Sequence, residues 1–491
     1  MYFEDLFDKS TKREYLFLKV LYLNNTSSMK KIELCNKLNI TMPTLRNMII
    51  RVQEEYFNKE DIQQYVRLDV SLNEVALHII EPMNFGCLIS KILKNSRIYT
   101  LLSYVIDNTQ EKCLIQMSLE LLRSSTAIGK TIAQCNEILK EFNLKIKNGQ
   151  IVGDAKQLIY FTYQFYWFTL DSKCLNNDLA TYLIEKYSIK LSIVQKAQIS
   201  LLICVIEKYY INIKDTALDE ELYRSFHQTK LFKDLYRFYT NKYINWGEIS
   251  IKFVTLLTVL FFSGFSMIPF KVLKLYSFKD CNNVYIFDQL ITILNEIYDL
   301  NRLEDRLQLE ENIITTLYRI CVFDGLWYSV DEITLNYYFT SFNSKFNEAF
   351  IKELVDFLKK DVCFQNKSIQ LKYLYKVLVI SLFPLKKREE FSILVGYISK
   401  VSPILSNAVS SKIKKKLEDK INVRIESFKE ECHYDLIISD FKEEYIKNCL
   451  GDVPYFKVTN MAVNFDVKEL FSYVEEIEYN KFFSKARNLF I

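Results

Sequence analysis

MKKIELCNKLNITMPTLRNMIIRVQEEY (residues 29–56) and CLIQMSLELLRSSTAIGKTIAQCNEILKEF (113–142) share one layout. Each reads as a short amphipathic helix, a tight break with a Ser or Thr cap, and a longer helix carrying polar and basic residues near its start. That is the pattern of a helix-turn-helix, whose second helix enters the major groove of DNA. Two tandem copies are much harder to obtain by chance than one. They make a sequence-specific DNA-binding regulator the leading reading.

The flanks extend each copy into a winged module. TKREYLFLKVLYLN (11–24) predicts a first helix, followed by a second over 29–38. Thr41 is placed to cap the third, and Pro43 is tolerated in a first turn, where no N–H is needed. Leu45, Ile49 and Val52 form an inward stripe, leaving Thr44, Arg46, Asn47 and Arg51 to face outward. YVRLDV (65–70), the turn SLNE and VALHII (75–80) predict a hairpin wing. In the second copy, 90–107 reads as the first helix and 113–122 as the second. Ser125 is the expected cap of the third. Ile128, Ile132 and Ile138–Leu139 point inward, with Thr126, Lys130, Thr131 and Gln134 outward. LKIKNGQIVGD (144–154) carries Asn148-Gly149, the strongest short hairpin signal.

Composition agrees with a large, mostly helical protein. The chain has 491 residues, 49% hydrophobic and 15% aromatic, enough for several cores. Only 9 glycines and 6 prolines leave little turn chemistry for an all-β fold. The net charge of +4 is modest for a DNA binder, so contact must come from clustered side chains and a dimer. Eleven cysteines without a CxxC pair suggest buried apolar residues in a reducing cytosol, neither zinc site nor disulfide framework. The N-terminus has no signal-peptide pattern. FVTLLTVLFFSGFSMIPF (253–270) is apolar but reads as a core helix, not a membrane span.

From about 158 to 390 the pattern is helix after helix, read as two bundles over about 170–284 and 285–390. The aromatic block LIYFTYQFYWFTL (158–170) reads as core. Beyond 390, apolar runs at 391–397, 421–428, 434–440 and 453–459 alternate with helices at 404–420, around 442–449 and about 466–488. This predicts a small α/β domain with a parallel sheet. The fold class is therefore mainly α and multidomain. Its parts are winged helix-turn-helix modules at 1–82 and 83–165, helical domains at 166–284 and 285–390, and an α/β domain at 391–491.

Enzyme chemistry has no announced site. P-loop, GxGxxG, HExxH and GxSxG motifs are all missing, and the three histidines, at 78, 227 and 433, are far apart. No catalytic residue, metal or cofactor is expected. Arg46 and Asn47 suit bidentate readout of guanine and adenine edges, while Arg51 and Lys130 suit phosphate contacts.

The whole layout resembles the Mga-type virulence regulators of Gram-positive bacteria, which include the AtxA-like proteins. NGQIVGDAKQLIYFTYQFYW (148–167) is the most telling local likeness, matching the family's passage from second wing into central helices. The resemblance implies two phosphotransferase-regulated helical domains and a C-terminal domain similar to sugar-transporter enzyme IIB. Thr41–Arg51 and Ser125–Gln134 fall where the family's recognition helices fall. His227 falls in the first regulatory domain, where relatives can carry a phosphorylatable histidine. Residues 285–390 hold no histidine, and the loop YISKVSP (397–403) lacks the nucleophilic cysteine of enzyme IIB. The resemblance thus implies a cytoplasmic homodimeric regulator, more activator than repressor. Its partners are double-stranded DNA, a second copy joined through the C-terminal domain, and sugar-phosphotransferase proteins, with no membrane. The alternative is a helical protein–protein adaptor without DNA affinity. An enzyme is third.

Overall fold

The computed structural model describes residues 1–24, 28–57, 66–79, 84–108, 110–169, 177–214, 216–269, 272, 283–300, 303–326, 344–360, 364, 367–382, 385, 387–418, 421–441, 446, 453–458 and 464–490. These are mainly helical and form two compact units. One comprises 1–218, 243–254 and 323–334; the other comprises 219–242, 255–322 and 335–491.

In the first unit, the helix Lys9–Leu23 begins where the Asp8 carboxylate accepts the N–H groups of Ser10 and Thr11. The expected helix over 29–38 is shorter. Met29–Lys30 is instead a strand, β1, and the helix is Lys31–Leu38. Met29 is buried opposite Val75, so its side chain serves the sheet and not a helical stripe. Asn39 turns in the left-handed region (φ 51°) and closes that helix. The next helix is Met42–Val52, followed by a π-turn at Gln53–Phe57. The wing is β2 (Val66–Val70) and β3 (Glu74–Ile79), antiparallel, with sheet order β1-β3-β2. Tyr65 and Ile80, the expected outer ends of the hairpin, lie outside the described residues.

The second module departs from expectation at its start. The single helix read over 90–107 is two, Asn84–Asn95 and Arg97–Asp107. Buried Ser96 breaks them: its hydroxyl donates to the Leu6 carbonyl (2.6 Å) and caps Tyr99 N–H. Leu114–Glu120 and Ser125–Leu139 follow, then β4 (Lys145–Lys147) and β5 (Gln150–Val152) around Asn148-Gly149, both at positive φ. The helix Ala155–Thr169 buries Tyr160, Phe161, Tyr163 and Phe165 completely, so the aromatic block is core. Helix Ile193–Lys208, opened by a Ser192–Gln195 capping box, packs beside it, and Asp178–Tyr187 packs on Ile193–Lys208. Helix Glu248–Phe265 is, among the described residues, the one long and apolar enough to cross a membrane, and 78% of that window is buried within the protein.

In the second unit, helices Leu303–Val322, Lys345–Leu358 and Ser368–Leu382 pack together. After them comes a parallel sheet of β6 (Ile393–Ile398), β7 (Val423–Ser427), β8 (Leu436–Ser439) and β9 (Tyr455–Lys457), in the order β7-β6-β8-β9. The helix Pro403–Glu418 makes the crossover from β6 to β7. The last helix, Asn464–Arg487, lies chiefly along Lys345–Leu358. It therefore ties the α/β segment to the preceding bundle.

Candidate nucleic-acid interface

The helix Met42–Val52 buries Leu45, Met48, Ile49 and Val52. Pro43, Arg46, Asn47 and Ile50 are exposed at i, i+3, i+4 and i+7, one continuous outward face. Arg46 and Asn47 thus face outward from the buried stripe. Pro43 and Ile50 belong to the same face, although sequence reading passed over them. Ile50 is 53% exposed and supplies apolar surface of the kind that meets a thymine methyl. Thr41 occupies the cap position with extended backbone, but its hydroxyl pairs with that of Thr44 (2.9 Å) and not with the helix. Thr41 is exposed and Thr44 half-buried.

Arg51 is a partial correction: its side chain stays 42% exposed, but it already has a partner within the protein. Its guanidinium forms an ion pair with Glu14, a carboxylate only 1% exposed on the first helix. Glu14 also accepts the Tyr56 hydroxyl (2.8 Å). The reason is helical geometry: Arg51 follows Met48 by three and flanks Val52, so its stem starts beside the buried stripe. It binds the recognition-position helix to the first helix, and phosphate would have to compete with Glu14 for it.

In the second module the buried stripe of Ser125–Leu139 is Ile128, Thr131, Cys135 and Leu139. Thr131, expected outward, is a second correction. It is 3% exposed and its hydroxyl donates to the Ala127 carbonyl (2.9 Å), three residues after Ile128 and four before Cys135. Ser125 is also not the cap. Ser124, whose backbone is extended, accepts Ala127 N–H (3.3 Å), and Ser125 is the first helical residue, half-buried. Thr126, Lys130, Ala133 and Gln134 are exposed on the face opposite the stripe.

Wing and helix are joined by Asn136, whose side-chain carbonyl accepts Ile146 N–H (2.6 Å). Strand alternation places Lys145 and Lys147 on one exposed face with Ile146 buried between them. These two lysines add positive charge to the module; the KIK alternation is the sequence signal that would have found them. Cys135, at the centre of the buried stripe, has its thiol pushed by burial up to about 12 and is inert.

His227 lies between helices Glu220–Phe226 and Lys230–Lys242. Its Nδ1 faces the carbonyls of Tyr223 (3.2 Å) and Arg224 (3.0 Å), and its ring stacks on Tyr223. Carbonyls only accept, so Nδ1 carries the proton and Nε2 the lone pair. Nε2 lies 2.7 Å from the Gln228 amide nitrogen. Among the described residues no group of three His, Cys, Asp or Glu side chains is placed to hold a metal ion.

Two helix-turn-helix units, each completed by a wing, define the architecture of a DNA-binding regulator. Residues 83–166 match the family model of the Mga helix-turn-helix domain, which supports a Mga-type transcription regulator. No curated protein matches the chain.

Proposed function

We propose that this protein is a promoter-binding transcription regulator, an activator, that reads double-stranded DNA with Arg46 and Asn47 from one module and Thr126, Lys130 and Gln134 from the other. The observation that carries this is the pair of polar, outward helix faces, each backed by a buried stripe and a wing, with the second inside the matched domain. Fluorescence anisotropy on duplex from the protein's own upstream region, against scrambled duplex at two salt concentrations, tests it. Arg46→Ala should weaken binding by about 1–3 kcal/mol and relax base preference. Lys130→Ala should weaken all duplexes and flatten the salt slope by about one unit. Unchanged affinity and slope in both would remove these residues from the interface.

The second layer of the proposal is control by the sugar-phosphotransferase system through His227, in a protein that pairs with a second copy through its C-terminal α/β segment. A half-buried imidazole with Nδ1 held by carbonyls and Nε2 carrying the lone pair supports nucleophilic attack on a phosphoryl donor. Arg224 and Lys230, both exposed nearby in sequence, supply positive charge for the resulting dianion. Purified phosphotransferase components should label the wild type and not His227→Ala. Labelling that survives the substitution places the acceptor elsewhere.

A further inference from the structure

The residues just after the helix Leu303–Val322 are gripped by side chains of the second winged module. Phe323 and Leu326 are fully buried. Phe323 stacks on Tyr160 with ring centroids 4.2 Å apart and planes at 5°. The backbone between them is bonded almost residue by residue. The Gln157 amide, oriented so that both ends are satisfied, donates to the Asp324 carbonyl (3.3 Å) and accepts the Asp324 N–H (2.8 Å). Tyr160 donates its hydroxyl to the Gly325 carbonyl (3.3 Å), and Glu141 accepts Leu326 N–H (3.0 Å). Asn143 donates to the Asp324 carboxylate (2.8 Å).

Gly325 has φ +73°, and a Cβ there would meet the Phe142 ring at 2.5 Å. Phe142 is itself fully buried. No residue with a side chain fits this seat without displacing the ring. Side chains that bond successive backbone groups of a bound segment, with pockets for its apolar ends, make a peptide-recognition site. The module commits four polar side chains, two of them buried (Gln157 and Tyr160), to a segment more than 160 positions away in the chain, when a purely apolar contact would have sufficed for packing.

We propose that Glu141, Phe142, Asn143, Gln157 and Tyr160 form a peptide-docking site whose occupant is Phe323–Leu326, and that this strap transmits the state of the helix Leu303–Val322 to the second winged module. Its effect on transcription rests on the DNA-binding reading above; its mechanical part does not. Because the strap follows the helix without a break in the chain, a shift of the helix along its axis must pull on the site or empty it.

The test is hydrogen–deuterium exchange on the full chain, wild type against Gly325→Ala and Asn143→Gly. The second variant keeps the left-handed backbone at 143 (φ 55°) and removes one strap bond, so it reports even where the first fails to fold. The expected result is slow exchange at Asp324 and Leu326 in the wild type. Exchange should be at least tenfold faster there in Gly325→Ala, less so in Asn143→Gly, with faster exchange also in 303–322 and 125–152. A strap that exchanges like an open loop in the wild type overturns the site. Faster exchange confined to 323–326 overturns the transmission. Duplex anisotropy on the same samples separates the two readings. A threefold or greater change in affinity on strap release supports the coupling to DNA, and unchanged affinity with a released strap overturns it. Absence of duplex binding by the wild type defeats the DNA-binding reading, while the exchange data still decide the strap.

Discussion

Cys135 shows how one side chain links burial to solution behaviour. Its thiol ordinarily loses its proton near 9.0, and burial raises that to about 12. Between those values the unfolded chain releases a proton that the native state keeps, so ν of the unfolded state is the smaller and stability falls as pH rises. The contribution is fully present below pH 9 and is lost toward pH 12, roughly 3–4 kcal/mol in all. Cys135→Ala should therefore show a shallower stability loss over pH 9–12 in urea titrations, beside a uniform loss from the cavity. An identical pH slope in both proteins would mean the thiol is not buried as described. Arg46 and Asn47 were legible in the sequence because outward position follows from the stripe beside them. Arg51 was not: its partner Glu14 is on another helix, and nothing local announces a buried carboxylate.

Among the elements, the second wing was the most legible. Asn148-Gly149 needs two positive φ angles, 48° and 73°, and these residues accept them most cheaply. The turn is also pinned, since Lys112 N–H donates to the Asn148 carbonyl (2.9 Å). A Cβ on Gly149 would lie 2.9 Å from the Lys112 carbonyl oxygen. Gly149→Ala should lower stability by about 1–2 kcal/mol and loosen the wing, read as an earlier urea midpoint and faster exchange over 145–152. An unshifted midpoint with a protected wing would contradict this. The first wing hid a third strand, because two residues, Met29–Lys30, are too short for any periodicity to register. In the α/β segment, the loop after β6 holds no cysteine. Its Ser399 hydroxyl (2.8 Å) and Lys400 N–H (3.0 Å) are instead bonded to buried Asp440 at the end of β8. The chain's own carboxylate thus occupies the crevice between β6 and β8, where ligands of open parallel sheets commonly bind.

At the scale of the molecule, the C-terminal helix is the least local feature. Lys387 and Glu478 form a buried ion pair (2.7 Å, 5% and 1% exposed) where the α/β segment meets the bundle before it. Burial holds the Lys387 ammonium below its ordinary range despite the Glu478 charge. Arg388 adds bonds from its backbone N–H to the Ile297 carbonyl and from its side chain to that of Asn295. Lys387→Met strands a buried carboxylate and should cost about 3–5 kcal/mol, whereas Lys387→Met with Glu478→Leu should recover most of it. A double-mutant cycle in urea checks this; equal losses for single and double variants would show that the charge pair is not the cause.

Whereas neither expected cap, Thr41 or Ser125, bonds its helix end, period and turn chemistry sufficed to read the helices and wings of the two winged modules, the helical middle and the parallel sheet. Each depends on residues within a turn or two of one another, and local sterics and hydrogen bonding act at that range. The pairing of Arg51 with buried Glu14, the docking of Phe323–Leu326 and the course of Asn464–Arg487 along Lys345–Leu358 emerged only from the folded chain. Each joins groups far apart in sequence, and the free energy of such pairs depends on which surfaces packing brings together and which charges it removes from water.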